Sequence, residues 1–337
     1  MKLHRVPHVR WFPAGLVLAF VVGALAACGG HDAGACQRSD DQPSVDGGLQ
    51  CGQPFQLNEV DGQGNVTGPG LFGIKIVEYV HVNAGGIVET DTITVLLMLA
   101  SFDHQQGSQD IAIDGQLCQI QIPKVDIPGQ PAPASFDTLP DLMPNVPVSH
   151  IKGTLSGDKT CDSFTTEKAV SIIGGCLADP LNDPLPDDPV GGVCQGAFDV
   201  GQKDQYCDGR SGCMYDVDMD GYHGATLVAH NIPGLDVDLV FAVMRSWIEL
   251  DGMVATSDML LGTARFDLLV APFGCRLTPM GGGDQRDCTA DELSIVAKIN
   301  PDITQTPGQD STFVAVRVPQ GTDCAYIIDH ELEVFGR

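Results

Sequence analysis

Three aspartates at alternate positions, followed by a glycine, form the stretch of the chain with the clearest capacity for chemistry. They are Asp216, Asp218 and Asp220 in YDVDMDGYHG, and Gly221 follows them. Carboxylate oxygens at alternate residues converge when the backbone curls, and glycine permits the sharp turn. Calcium prefers such oxygen ligands, so this spacing predicts a Ca²⁺ site in which the three aspartates are the metal ligands.

The stretch departs from the helix-loop-helix calcium pattern in its second half. That pattern needs a bidentate glutamate at its twelfth position, where this chain has Leu227, and its ninth position is Gly224. A looser calcium loop remains, and it requires a further carboxylate, for which Asp208, Asp236 and Asp238 are the candidates. The expected role of the ion is structural, because cation binding stabilises a loop-rich fold.

An edge strand is the alternative interpretation of the same residues. Tyr215, Val217 and Met219 alternate with the aspartates, so a strand with its acids in water explains the pattern equally well. Three neighbouring carboxylates repel one another in the absence of a cation, which favours the metal site.

Few other residues have the spacing of a catalytic site. The chain contains no G-x-S-x-G elbow and no H-E-x-x-H motif. His223 and His230 lie in the acidic segment 204–238 and could join Asp220 around a transition metal. This arrangement gives an alternative function, an anchored metal-dependent hydrolase, whereas the sequence as a whole favours a protein that is not an enzyme.

The amino terminus has the features of a secretory signal. Lys2, Arg5 and Arg10 precede an apolar run at 13–27, which is shorter than the roughly 20 apolar residues that a membrane span needs. The run ends in LAAC, which resembles the bacterial lipobox. This resemblance implies that Cys28 becomes the acylated (palmitate-bearing) amino terminus of the mature lipoprotein.

The lipobox resemblance also implies a location and a topology. Residue 29 is Gly, which in the Gram-negative lipoprotein pattern indicates the outer membrane, on its periplasmic or cell-surface face. Residues 1–27 are then the signal peptide, and Cys28 attaches the protein to the membrane. Residues 28–50 are polar and glycine-rich, so we expect a flexible tether.

Composition and charge limit the class of protein. The chain has a formal net charge of −26, with 36 Asp but only 8 Glu, together with 40 Gly and 22 Pro. Aspartate, glycine and proline favour turns and interrupt helices, which predicts short strands joined by many loops. The strong acidity repels phosphate backbones and therefore excludes a role in binding nucleic acid.

Periodicity predicts most of the strands and a few short helices. Apolar, β-branched or alternating runs indicate strands at 71–82, 90–102, 109–122, 260–270, 312–318 and 325–335. Helices are expected over 165–175 and, behind a Thr289–Glu292 capping box, over 289–299. Residues 235–250 fit a helix and a buried strand equally well.

These elements predict a mainly β, disulfide-stapled fold made of antiparallel sandwich or barrel domains with long Pro/Gly/Asp-rich loops. Residues 123–147 contain seven prolines, which are incompatible with a central strand. We therefore place one β-rich domain at 51–148 and a second, cysteine-rich one at 149–337.

The cysteines predict structural disulfides. Without Cys28, eleven of the 12 cysteines remain, and none forms a C-x-x-C pair. An oxidising compartment would pair them, and the odd count leaves at least one as a free thiol or in an intermolecular bridge. Neighbouring pairs such as Cys36–Cys51, Cys161–Cys176 and Cys275–Cys288 would close loops of about fifteen residues, but spacing does not determine which cysteines pair.

The sequence therefore predicts a lipid-anchored envelope protein, stabilised by calcium, that acts as a structural or binding module. Its partners would be the membrane, through Cys28, and a protein or small-molecule ligand of unknown identity.

Overall fold

The computed structural model describes residues 49–84, 88–122, 124–126, 129, 131–232, 236–279, 283–299 and 301–336. The predicted signal peptide, Cys28, Cys36 and nearly all of the tether lie outside these residues. The first strands are β1 (Glu59–Val60), β2 (Val66–Gly68), β3 (Gly70–Ala84), β4 (Val88–His104), β5 (Asp110–Ile120), β6 (Ser135–Thr138), β7 (Ser149–Leu155), β8 (Ser163–Thr166) and β9 (Ala169–Ile173).

The remaining strands are β10 (Gly175–Cys176), β11 (Cys213–Met214), β12 (Ala225–His230), β13 (Val237–Thr256), β14 (Met259–Leu277), β15 (Arg286–Asp287), β16 (Pro301–Gln305) and β17 (Ser311–Arg317). The helices are α1 (Leu142–Asn145), α2 (Ala290–Ile299), α3 (Cys324–Asp329) and α4 (Glu331–Phe335), with a 3₁₀ helix at Val200–Gln205. None of the described helices is both long and apolar enough to cross a membrane.

The long strands close on themselves. Antiparallel pairs connect β3 to β4, β4 to β5, β5 to β7, β7 to β8 and β8 to β13. β13 then pairs with β14, β14 with β17, and β17 with β3, which completes the circuit. We call these strands the strand ring. Its closure corresponds to the barrel form of the predicted fold class, and a closed ring satisfies backbone hydrogen bonds that an open sheet leaves free at its edges.

Alternating side chains fill the interior of the strand ring. In β3, every even-numbered residue from Phe72 to Val82 is buried, while most of the odd-numbered neighbours are partly exposed. Phe72 packs on Phe102 of β4 with ring centroids 4.8 Å apart, and both are almost completely buried. This period of two is the signature of strands with one face turned toward a core.

The structure confirms most of the predicted strands. β3, β4, β5, β14 and β17 lie where alternation places them, and the ambiguous stretch 235–250 belongs to β13. The capping box is also confirmed, because Thr289 N donates to Glu292 Oε2 at 2.8 Å and Glu292 N donates to Thr289 Oγ1 at 3.3 Å, at the start of α2.

Two predicted elements are wrong. Residues 165–175, expected to be a helix, form the end of β8 and then β9, because β13 offers a free edge beside them. Residues 325–335, expected to be a strand, form α3 and α4. Asp323 caps α3 by accepting a hydrogen bond from Tyr326 N, and Ile327 and Phe335 are buried in the small core outside the ring.

The strands on the two sides of the proposed domain boundary belong to one sheet. β5 pairs with β7 across residues 148 and 149, and β3 pairs with β16 and β17 from the carboxy-terminal part. The described residues from 49 onward accordingly belong to one compact unit by their backbone contacts. A boundary at 148/149 would separate strands that the closing of the ring requires to be hydrogen-bonded.

Which cysteines pair is decided by the folded sheet more than by their spacing along the chain. Of the pairs that are neighbours in sequence, Cys275–Cys288 is bonded, whereas Cys51 pairs with Cys161, which excludes Cys36–Cys51 and Cys161–Cys176. The ten cysteines in the described residues are all paired. The other bonds are Cys118–Cys324, Cys176–Cys207 and Cys194–Cys213. Strand register brings these residues together over separations of up to 206 residues.

Candidate metal centre

The three aspartates lie in a segment that leaves the sheet after β9 and returns to it at β12. We call residues 174–224 the stapled segment. Its two ends meet at Gly174 and Gly224, whose φ values of 78° and 81° fall in the left-handed region. A side chain on Gly174 would come within 2.6 Å of the Gly224 backbone, so only glycine permits this approach.

Two disulfide bonds and a small aromatic cluster hold the parts of the stapled segment together. The Cys176–Cys207 and Cys194–Cys213 bonds join its parts. Phe198, Tyr206 and Tyr215 pack on one another, with ring centroids 4.8 to 5.3 Å apart. Apart from the short β10–β11 pair and the 3₁₀ helix, the segment consists mostly of turns, bends and irregular backbone. Its disulfides therefore hold the backbone in place, a task that strand-to-strand hydrogen bonds perform in the ring.

The aspartate loop folds around its own carboxylates. Asp216 Oδ1 accepts a hydrogen bond from Asp220 N at 3.2 Å, and Asp216 Oδ2 accepts one from Gly221 N at 2.8 Å. Gly221 has a φ of 94°, which is the conformation that the predicted sharp turn requires. One carboxylate oxygen from each of Asp216, Asp218 and Asp220 lies within 4.8 Å of the other two. The convergence expected from the spacing is therefore present.

Asp218 is the most unusual of the three aspartates. It is only 3% exposed; its Oδ2 accepts a hydrogen bond from Thr226 N at 2.6 Å, and its buried Oδ1 has no partner in the described residues. The pKa of Asp218 is raised to about 7, first by burial and then by the charges of Asp220 and Asp216, while the Thr226 N–H lowers it. A buried oxygen of this kind lacks a positive partner, which a cation would supply.

The edge-strand interpretation is wrong. Residues 215–224 form a loop with only an isolated bridge between Asp216 and Gly224, and Asp218 is buried and not in water. Asp220 is exposed, as is the neighbouring apolar residue Met219, which is 60% exposed at a left-handed φ of 59°.

The additional ligands proposed from sequence do not join the cluster. Within the described residues, the group of acidic side chains that meets within 4.8 Å contains the three aspartates and omits Asp208, Asp236 and Asp238. Asp238 instead accepts hydrogen bonds from Thr278 and Gln285. Completion of a calcium shell would therefore depend on peptide carbonyls and water, which are normal calcium ligands.

The histidines of the alternative hydrolase site are apart from the aspartates. His230 Nε2 lies 2.9 Å from Asp137 Oδ2 on the neighbouring strand β6. His223 Nδ1 is buried without a partner, and neither histidine belongs to the aspartate cluster. The geometry of the described residues therefore does not assemble the transition-metal site that the sequence suggested as an alternative.

Sequence reasoning missed a second buried carboxyl group. Glu78 is at an interior position of β3 and is 1% exposed, and neither of its carboxyl oxygens has a partner within the described part of the chain. Burial raises the pKa of Glu78 from 4.5 to about 9, so it is protonated at neutral pH. The signal was present in LFGIKIVEYVHV, where Glu78 is the one ionisable residue on the apolar face of the alternation.

Comparison with known proteins identifies no relative of this chain. No protein-family model, no curated protein and no solved structure matches it. Its function therefore has to be inferred from its own residues and their geometry.

Proposed function

We propose that this protein is a lipid-anchored module of the outer membrane, held there by acylated Cys28 and stabilised by Ca²⁺ at Asp216, Asp218 and Asp220. Its work is structural or consists of binding a protein or small-molecule ligand, on the periplasmic or cell-surface face. The lipobox LAAC supports the anchor. The disulfides support an oxidising compartment, because such bonds do not persist where thiols are kept reduced.

One observation carries the calcium assignment: the buried, unpartnered Oδ1 of Asp218 beside two further carboxylates. Without a cation, three carboxylates in this loop repel one another, and one of them is also desolvated. A divalent cation relieves both costs and fixes the loop to the start of β12, where Thr226 N donates to Asp218. A ligand that binds only the folded state at 100 times its dissociation constant stabilises by about 2.7 kcal/mol.

Thermal unfolding tests the calcium site. The chelator-treated full chain is melted with and without millimolar Ca²⁺, and the same is done for Asp218→Ala and for Asp187→Ala, which changes an exposed aspartate outside the cluster. We expect a gain of several degrees in the parent and in Asp187→Ala, and no gain in Asp218→Ala. Equal shifts in all three proteins, or none in the parent, would reject calcium at this site.

Acylation tests the anchor independently. The full chain is expressed in a Gram-negative host with a labelled fatty acid, beside a Cys28→Ser variant. We expect label and outer-membrane fractionation in the parent and neither in the variant. Label or membrane association that persists in Cys28→Ser would contradict a lipid anchor at this residue, whatever the calcium melts show.

A further inference from the structure

The two disulfides of the stapled segment are neighbours. The Sγ atoms of Cys176, Cys194 and Cys213 all lie within 4.8 Å of one another, and Cys207 Sγ is bonded to Cys176 Sγ at 1.99 Å. In the described residues, this is the one place where at least three cysteines meet within that distance. Exchange between disulfides requires a thiolate to reach a disulfide sulfur, so adjacency of this kind is its first requirement.

The backbone already supports a second pairing of the same cysteines. β10 and β11 place Cys176 directly opposite Cys213. Directly opposed residues of an antiparallel pair have Cα atoms about 4.5–5.5 Å apart, which lies within the usual range for disulfides. Cys194 is fixed beside them, because its N–H donates to Met214 O at 2.8 Å. Transfer of Cys176 from Cys207 to Cys213 can therefore leave these backbone contacts in place.

The two disulfides also have an exposed and a buried side. Cys176 is fully buried and Cys194 is 4% exposed, whereas Cys207 and Cys213 are only partly buried. Cys207 is therefore the more exposed partner of the Cys176–Cys207 bond and the side on which an external thiol would attack, while Cys176 stays inside next to the second disulfide.

From this geometry we infer that the stapled segment is a thiol–disulfide exchange site that an external thiol starts by attacking Cys207. The external thiolate attacks Cys207 Sγ, the Cys176–Cys207 bond breaks, and its electron pair leaves on Cys176 as a thiolate. This thiolate attacks Cys213 Sγ, which forms a Cys176–Cys213 bond and releases Cys194 as a thiolate.

The last step regenerates the thiol. The Cys194 thiolate attacks Cys207 Sγ, forms a Cys194–Cys207 bond and expels the external thiolate. Two disulfides break and two form, no electrons are gained or lost overall, and the external thiol acts as a catalyst. The segment then alternates between two disulfide isomers, one of which links β10 directly to β11.

Removal of Cys207 tests the central step without any external thiol. A Cys207→Ser chain leaves Cys176 as an intramolecular nucleophile, and Cys288→Ser is the matched control, because it frees Cys275 away from the cluster. All chains also carry Cys28→Ser and Cys36→Ser to remove other thiols. After incubation at about pH 8.5, where thiolate forms, acid quenching, alkylation and peptide mapping by mass spectrometry identify the linked pairs.

In Cys207→Ser we expect Cys176 to be linked to Cys213 or Cys194 in amounts comparable with the native Cys194–Cys213 bond. Cys288→Ser should retain both native bonds of this region, Cys176–Cys207 and Cys194–Cys213. Cys207→Ser that holds only Cys194–Cys213, with Cys176 alkylated as a free thiol, would overturn the inference.

A second experiment does not depend on the folding of a variant. The chain with its native ten disulfide-bonded cysteines is incubated in a glutathione buffer containing substoichiometric reduced thiol and is then mapped in the same way. We expect the Cys176–Cys213 and Cys194–Cys207 pair to appear together while the Cys51–Cys161 bond is unchanged. Native pairing throughout, in a sample that forms mixed disulfides with glutathione, would contradict exchange.

Discussion

The strand ring and the stapled segment fix the backbone by different means. In the ring, long antiparallel ladders set the register, and alternate residues such as Phe72 and Phe102 fill the interior. In the stapled segment, two disulfides, three packed aromatic rings and a turn around Asp216 hold a chain with little regular structure. The ring gains stability from burial summed over many strands, whereas the segment depends on a few local links.

This difference means that the two regions should respond separately to chemical change. Alteration of the ring interior should affect the cooperative unfolding of the whole unit, because each strand pairs with two others. Loss of a link in the stapled segment should open that segment while the ring remains folded, which is local unfolding. Each of the following changes tests that separation.

Phe72→Ala is expected to have the largest effect. The Phe72 side chain is fully buried against Phe102, so the substitution removes apolar contacts and leaves a cavity that costs about 3–5 kcal/mol of unfolding free energy. Urea unfolding measures this loss, and Val190→Ala in the stapled segment, where the side chain is 92% exposed, should be neutral. Comparable losses of unfolding free energy in the two variants would contradict the view that burial in the ring, and not the stapled segment, determines global stability.

Cys194→Ser combined with Cys213→Ser should cost about 3 kcal/mol of local stability, as expected for a loop closed over 19 residues. Hydrogen exchange is the appropriate measurement, because it reports protection for each segment. We expect amides in the stapled segment to lose protection while those of β3 and β4 keep theirs. An equal loss in β3 would show that the ring depends on this staple.

Glu78→Gln should stabilise the protein at neutral pH, by about 1–3 kcal/mol. The folded state holds the Glu78 proton up to its pKa of about 9, while the unfolded chain releases it near 4.5. The unfolded state therefore binds fewer protons between these values, and the parent loses up to about 1.4 kcal/mol of unfolding free energy per pH unit through this group.

Unfolding measured from pH 5 to 9 tests this sign. Glu78→Gln should flatten the decline in stability, and Glu333→Gln, an exposed substitution on α4, should leave it unchanged. A parent whose stability rises across that range would show that Glu78 ionises inside the ring with a partner.

Asp91→Asn should have the smallest effect. The pKa of the exposed His81 is raised, chiefly by its hydrogen bond with Asp91 on the neighbouring strand, so removal of the charge lowers that pKa. The stabilisation is present below the ordinary histidine pKa and is lost as the pH rises through the raised value. NMR titration should show the lower pKa of His81, and the melting temperature should be unchanged at pH values above the raised pKa, where His81 is neutral. Asp114→Asn, which alters the separate His150 pair, is the control.

Local sequence patterns predicted what local physics determines. Alternation located the ring strands, and the Thr289–Glu292 box located α2, because both depend on residues a few positions apart. The helices α3 and α4 were missed because residues 325–335 alternate well enough for a strand. What decides the outcome is the Asp323 cap and the burial of Ile327 against the outside of the ring.

Long-range pairing could not be predicted from the same patterns. Cys51 meets Cys161 and Cys118 meets Cys324 only once the ring has closed, so spacing along the chain could not determine these pairings. The aspartate loop is intermediate between these cases. Its three carboxylates converge as their spacing predicts. The burial of Asp218, however, depends on β12, because Asp218 accepts a hydrogen bond from Thr226 N on that strand.

The closure of the ring has a consequence for biogenesis. β3, close to the start of the folded unit, completes the ring with β17, close to its end, so the barrier to folding includes the entropy of joining distant strands. Until Arg317 has been synthesised, β3 has an unpaired edge that can pair with another nascent chain. Assembly is then a late, all-or-none event, and a truncation before β17 should leave the whole unit aggregation-prone and sensitive to protease.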